Sequence, residues 1–154
     1  MADTLRYPLP GFHFLVTFNG LPGGIAIIDS QFSDVSGLSA ELITEELMEG
    51  GENRFVHKLP VRVKFPNLVL KRALFPLSTP LIKWAQNAIN NLDINTCSVM
   101  VTLLNDVHMP VKIWNFSNVY PVKFQISDFK ANDNTVVIET IELAYDYFHE
   151  ITPW

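Results

Sequence analysis

The side chains here with chemistry to offer are four histidines, one cysteine and a few acids near the C-terminal end. His13, His57, His108 and His149 carry imidazoles, but no two stand at metal-ligand spacing. Cys97 lies inside an apolar run, where a thiol is expected to be buried and inert rather than a nucleophilic thiolate. Being the single cysteine, it excludes an internal disulfide and any multi-cysteine metal site, and fits a reducing compartment. Glu139, Glu142 and Asp146 share one strand-like segment. Glu139 and Glu142 face opposite sides, and Glu142 and Asp146 share a side with no partner acid or base, so a solvated strand face is expected. There is no Gly-x-Ser-x-Gly elbow, P-loop or dinucleotide-binding glycine pattern. Asn115-Phe116-Ser117 matches a glycosylation sequon, but with no export signal it is read as chance. No catalytic residue, cofactor-binding residue or metal ligand is expected.

What the sequence does offer is charge in blocks. Between Phe32 and Lys58 fall Glu41, Glu45, Glu46, Glu49 and Glu52, with Gly50-Gly51 between the last two and no basic residue among them. Arg54, Lys58, Arg62, Lys64, Lys71 and Arg72 follow, six of the eleven basic residues, and no acid intervenes before Asp93. Two readings are open. The blocks are ordinary solvated strand faces, or they are two faces of opposite sign suited to head-to-tail contact with another copy.

The elements that must position these blocks follow from composition and pattern. At 154 residues the chain is expected to form a single domain (1–154) with a real core. Charged residues make up only 18% against about 25% in ordinary soluble domains, so a partner is expected to cover some apolar surface. A net charge of −5 gives no electrostatic reason for nucleic-acid binding. Tyr7 to Ile28 carries no Asp, Glu, Lys or Arg, yet Pro8, Pro10, Pro22 and Gly23-Gly24 break it too often for a membrane span. MADTLRYPLP lacks the basic leader and apolar run of a secretory signal, so neither export by that route nor a membrane anchor is expected.

Residues 1–11 read as an extended arm, since proline disfavours helix at itself and at the residue before it. Aromatic and β-branched runs predict strands at 12–18, 25–35, 38–47, 61–65, 68–74, 97–105, 111–116, 119–129 and 135–148. The third of these reads as a hairpin arm, because Ser36-Gly37 breaks it from the strand before and Gly50-Gly51 turns it back. One helix is predicted at about 79–92, with Thr79 as N-cap, Pro80 at its first position and Leu81, Trp84, Ala85, Ala88, Ile89 and Leu92 as its apolar stripe. The fold class is therefore mainly β: an antiparallel sandwich or partly open barrel with one helix. The fourteen-residue last segment is too long to end as a bare edge, so the barrel closes within the chain or a neighbouring subunit completes the sheet.

The ordered combination resembles a known family. Tyr7-Pro8-Leu9-Pro10 with Phe12 and Phe14, the Phe32…Val35-Ser36-Gly37-Leu38 run before the acidic arm, Leu70-Lys71-Arg72-Ala73 before a Trp-containing helix, and Ile141-Glu142-Leu143-Ala144-Tyr145 near the end are similar to segments of tail-tube proteins. These are the tube proteins of contractile phage tails and extracellular contractile injection systems, related to type VI secretion tubes. Departures are Ala73 where Gly is usual, Tyr145 where His is common, Trp84-Ala85 in place of a doubled Trp, and a long 19–24 loop.

The resemblance implies hexameric rings stacked into a rigid tube inside a contractile sheath, without catalysis or cofactor. Residues 46–58 would protrude as an arm reaching the next ring. The charged residues named above, with Gly50 and Gly51, would make contacts between subunits. Thr140, Glu142 and Asp146 would line the lumen. Expected partners are further copies of the chain, sheath protein, baseplate initiators, a terminator cap, and tape-measure protein and cargo in the lumen. Assembly would occur in the bacterial cytoplasm, within a virion or a released injection particle. A baseplate-proximal paralogue, a β-barrel binding a small apolar ligand, and a hydrolase with an unrecognised site remain alternatives.

Overall fold

Period-two burial sets the main sheet of the computed structural model, which describes residues 14–24, 32–51, 53–74, 76, 78–132 and 134–152. In chain order these residues form β1 (Phe14–Asn19), β2 (Asp34–Ser36), β3 (Glu41–Leu47), β4 (His57–Lys64), β5 (Leu68–Ala73), α1 (Pro80–Asn91), β6 (Cys97–Leu104), β7 (Pro110–Ile126), β8 (Ile138–Ala144) and β9 (Tyr147–Ile151). The predicted N-terminal arm (1–11), most of the strand expected at 25–35, and Glu52 lie outside the described residues.

Seven strands join in the order β1-β6-β7-β8-β5-β2, with β9 also on β7, and all the pairings are antiparallel. The sheet does not close into a barrel among the described residues, as expected for an open sandwich. Val16 and Phe18 from β1, Val99 and Val101 from β6, Leu68 and Leu70 from β5, and Ile141 and Leu143 from β8 alternate inward to make the core. Helix α1 packs against β7. Trp84 stands edge-on to Phe18 at 6.3 Å, and its indole N–H donates to the Asn95 carbonyl at 2.7 Å. Aromatic pairing and a satisfied N–H together anchor the helix.

Three expectations need correction. The segments 111–116 and 119–129 are one strand, β7, of 17 residues. Asn118, at φ 55°, inserts an extra residue opposite β6, so Phe116 and Val119 are both buried although three apart. A second irregularity lets Pro121, which has no N–H to donate, sit inside the strand. The long last segment is two strands laid end to end along β7, broken at Tyr145–Asp146. The break shifts the alternation by one residue, so Phe148 packs on the core and Tyr147 is exposed. The helical stripe also ends earlier than expected, because Leu92 adopts the left-handed conformation (φ 54°) at the C-cap, leaving Ile89 and Leu92 exposed and Ile82 buried.

Candidate assembly surface

β3 and β4 form a two-stranded sheet of their own. The hairpin spans Glu41 to Lys64, longer at both ends than the 46–58 arm expected, and every residue of β4 is exposed. A two-stranded ribbon with no packed face is marginal in water. Its composition agrees: Met48 is 83% exposed, Leu42 57% and Val63 51%, with Leu47, Phe55, Val56, Leu59 and Val61 also in solvent. Leu42 and Val63 lie directly opposite one another and so share a face of the ribbon. A register shift near Ile43/Thr44 leaves Val61 as the extra residue, which adds twist.

The charge blocks, far apart in composition, meet in space. Register sets Glu41 opposite Lys64 and Glu46 opposite Lys58, so acidic and basic strands partly neutralise each other within one hairpin. Glu45 stands opposite Leu59 and Arg62 opposite Ile43. Near the tip, Glu49 lies 3.7 Å from the His57 imidazole, and the Phe55 ring stands edge-on to it at 5.0 Å. Gly51 turns the tip with φ 100°, whereas Gly50 has no positive φ; Arg54 is exposed beside it.

Of the remaining nominated residues, Lys71 is exposed on β5, but Arg72 is not part of any basic surface. It is 2% exposed, with its Nε 2.7 Å from Glu139 Oε2, its Nη2 donating to the Thr79 hydroxyl at 3.5 Å and its guanidinium 5.3 Å from the centre of the Phe32 ring. Glu139, placed by the sequence on the side of its strand opposite Glu142 and given no partner there, is its buried partner. Thr140 and Glu142 share the half-buried outer side of β8, and Glu142 Oε1 accepts from Asn67 Nδ2 at 2.8 Å. Asp146 lies in the break beyond β8, where its carboxylate accepts from Asn118 Nδ2 at 2.7 Å and its N–H donates to the Ser117 carbonyl.

The residues that sequence reasoning missed sit at the base of the hairpin. Gly37, Phe65 and Asn67 hold the two points where it leaves the body. Gly37 was visible only as a break, and nothing in the sequence marks Asn67 as its neighbour. A shallow groove of about 330 Å³, lined by Phe14, Val35, Leu38, Val101, Leu103 and Trp114, opens beside this base. No group of three or more metal-ligating side chains occurs among the described residues. Burial pushes the Cys97 thiol up to about 12, the reverse of what a nucleophile needs.

An open sheet carrying a solvent-exposed, apolar ribbon defines a structural building block. Residues 10–149 match the family model of the T4-like virus tail tube protein gp19, and the chain belongs to that family of structural tube subunits. No curated protein sequence matches the chain. Among solved structures, it is similar to a chain of the anti-feeding prophage baseplate (6-fold symmetrised), with 32% identity and a TM-score of 0.85 over 95% of this chain and 97% of that one. It is also similar to a chain of the sheath–tube complex of an extracellular contractile injection system, PVC, in its extended state (25% identity, TM-score 0.79, 99% of each chain). Hcp1 from Flavobacterium johnsoniae shares the fold alone, at 15% identity and a TM-score of 0.53 over 89% of this chain and 93% of that one.

Proposed function

We propose that the chain forms hexameric rings that stack into the rigid inner tube of a contractile injection machine or phage tail. The tube acts as a conduit for protein or DNA cargo when the sheath contracts. It works by polymerisation and stiffness, with no catalysis, cofactor or metal. The observation that carries this reading is the β3–β4 hairpin, whose exposed apolar residues form the kind of surface that another copy would cover in an assembly. The six-fold and sheath–tube assemblies of the similar chains support it. The baseplate, sheath–tube and cap structures that hold the similar chains support sheath protein, baseplate and cap components as partners, and the proposal adds tape-measure protein and cargo in the lumen. Assembly takes place in the bacterial cytoplasm before the virion or particle is released. Thr140 and Glu142, on the outer side of β8, face the lumen in this reading.

A second reading is favoured by one observation. Identity is higher to the chain from the baseplate structure, 32%, than to that from the sheath–tube complex, 25%. On that reading the subunit forms tube-like rings at the baseplate end. Sedimentation velocity with negative-stain microscopy separates the readings. Filaments of unlimited length mark the main tube subunit, and discrete rings mark a baseplate-proximal one. A clean monomer at high concentration contradicts both.

A further inference from the structure

The β3–β4 hairpin joins the body through two short linkers, residues 37–40 and 65–67, and both are pinned. At Gly37 the outgoing chain crosses the returning one so closely that a Cβ would lie 2.1 Å from the Asn67 carbonyl oxygen and 3.1 Å from its carbon. That contact is with backbone, which cannot swing aside as a side chain does. A φ of +94° makes a second demand that L side chains rarely meet. On the returning linker, Asn67 donates its amide to Glu142 on β8 at 2.8 Å. Phe65 packs edge-on to Phe148 at 5.4 Å and tilted to Tyr145 at 6.0 Å. Pro66 between them fixes its own φ. β2, ending at Ser36, is held in turn by pairing with β5 and by Ser33, whose hydroxyl and N–H both donate to the Lys71 carbonyl.

We infer that Gly37, Asn67 and Glu142 form a fixed root that sets the direction in which the hairpin leaves the body, so that it is aimed before another copy arrives. The inference rests on the reading of the hairpin as the contact between copies. A ribbon hinged freely at both linkers would have to be ordered at each docking event. A root set within the free subunit removes that cost from association. Glu142 is then a positioning residue acting through the hydrogen bond that its carboxylate oxygen accepts from Asn67, a bond that an uncharged amide oxygen at the same place can also accept.

The test uses spin labels at Asn53→Cys on the tip and Asn90→Cys on α1, with Cys97→Ala removing the native thiol. Tip-to-body distances are measured in dilute, unassembled protein. The expected result is a narrow distribution with the native root, broadened at least about twofold or displaced in Gly37→Ala and Glu142→Ala. Glu142→Gln stays narrow, because its amide oxygen still accepts from Asn67. The critical concentration for assembly rises at least about tenfold in the first two variants and is unchanged in the third. If Gly37→Ala fails to fold, the Glu142 pair decides, since that side chain is only half buried. A broad distribution with the native root, or an unaltered one in Glu142→Ala, overturns the inference. So does a Glu142→Gln protein that behaves like Glu142→Ala, which would make the charge the active feature. Replacing residues 46–58 with a Gly-Ser linker tests the underlying reading separately. If that protein assembles normally, the hairpin is not the contact. If it fails while all root variants assemble normally, the root inference alone falls.

Discussion

Arg72 and Glu139 stand directly opposite each other on β5 and β8, with Nε and Oε2 2.7 Å apart and both side chains no more than 4% exposed. Two charges withdrawn from water repay their desolvation only through close geometry and further hydrogen bonds. Here the Thr79 hydroxyl and the Phe32 face add to the contacts of the guanidinium. The pair thus ties β5 and β8 to the start of α1. Glu139→Ala, which strands the cation, is expected to destabilise the fold by roughly 3–5 kcal/mol. Arg72→Met with Glu139→Leu is expected to recover most of that loss. Urea unfolding of the single and double variants measures the coupling, and additive losses would contradict it.

Tyr145 offers the opposite case. Its ring lies 4.8 Å from Phe116 and 6.1 Å from Phe148, yet its hydroxyl is buried with no hydrogen-bond partner among the described residues. Burial raises the pKa of that phenol. Tyr145→Phe is therefore expected to raise stability by about 1 kcal/mol, because it removes an unsatisfied polar atom and keeps the ring. A loss of stability in thermal or chemical unfolding would show that the hydroxyl has a partner in solution.

Cys97 predicts a pH dependence. Its thiol, ordinarily at 9.0, is pushed up to about 12 by burial. Below pH 9 the thiol is protonated in both folded and unfolded chains, and its contribution is fully present. As pH rises from 9 towards 12 the unfolded chain gives up a proton that the folded one keeps, so stability falls. The slope from this group is at most about 1.4 kcal/mol per pH unit. In Cys97→Ala that component is expected to vanish, seen as a shallower decline of the unfolding free energy above pH 9 than in the parent.

Much of the architecture was legible. Val16 and Phe18 alternate in β1 as a half-buried strand requires, and Thr79-Pro80 marks the helix start to the residue. What sequence hid were the places where one residue changes phase. Asn118 and the Tyr145–Asp146 break each shift the alternation, and no composition signal distinguishes such a joint from strand. Arg72 was assigned to a basic surface because it closes the block of six basic residues that begins at Arg54. A strand sends adjacent side chains to opposite faces, and Glu139, 67 residues away, turned out to be its partner. The hairpin was anticipated from Gly37 and Gly51, but which acidic residue stands opposite which basic one depended on register, which only the fold defines.

The exposed pair Leu42 and Val63 gives a prediction for assembly rather than folding. Both are in solvent in the isolated subunit, so Leu42→Ser with Val63→Thr is expected to leave its melting temperature within about 2 °C. The same change is expected to raise the critical concentration for polymerisation at least about tenfold, about 1.4 kcal/mol per contact, by light scattering. A single exposed ion pair contributes only about 0.2–1 kcal/mol. Glu45, Glu46 and Glu49 all changed to Lys, three such contacts reversed at once, should block stacking at low salt while the body stays folded, and normal filaments at low salt would contradict this.

Backbone hydrogen exchange across residues 41–64, in free subunits and in assembled material, tests the central claim most directly. An unfinished ribbon completed by neighbours predicts that these amides exchange at least about tenfold more slowly after assembly, while those of β6 and β8, already paired on both sides, change little. Equal exchange of the hairpin amides in the two states would contradict the account.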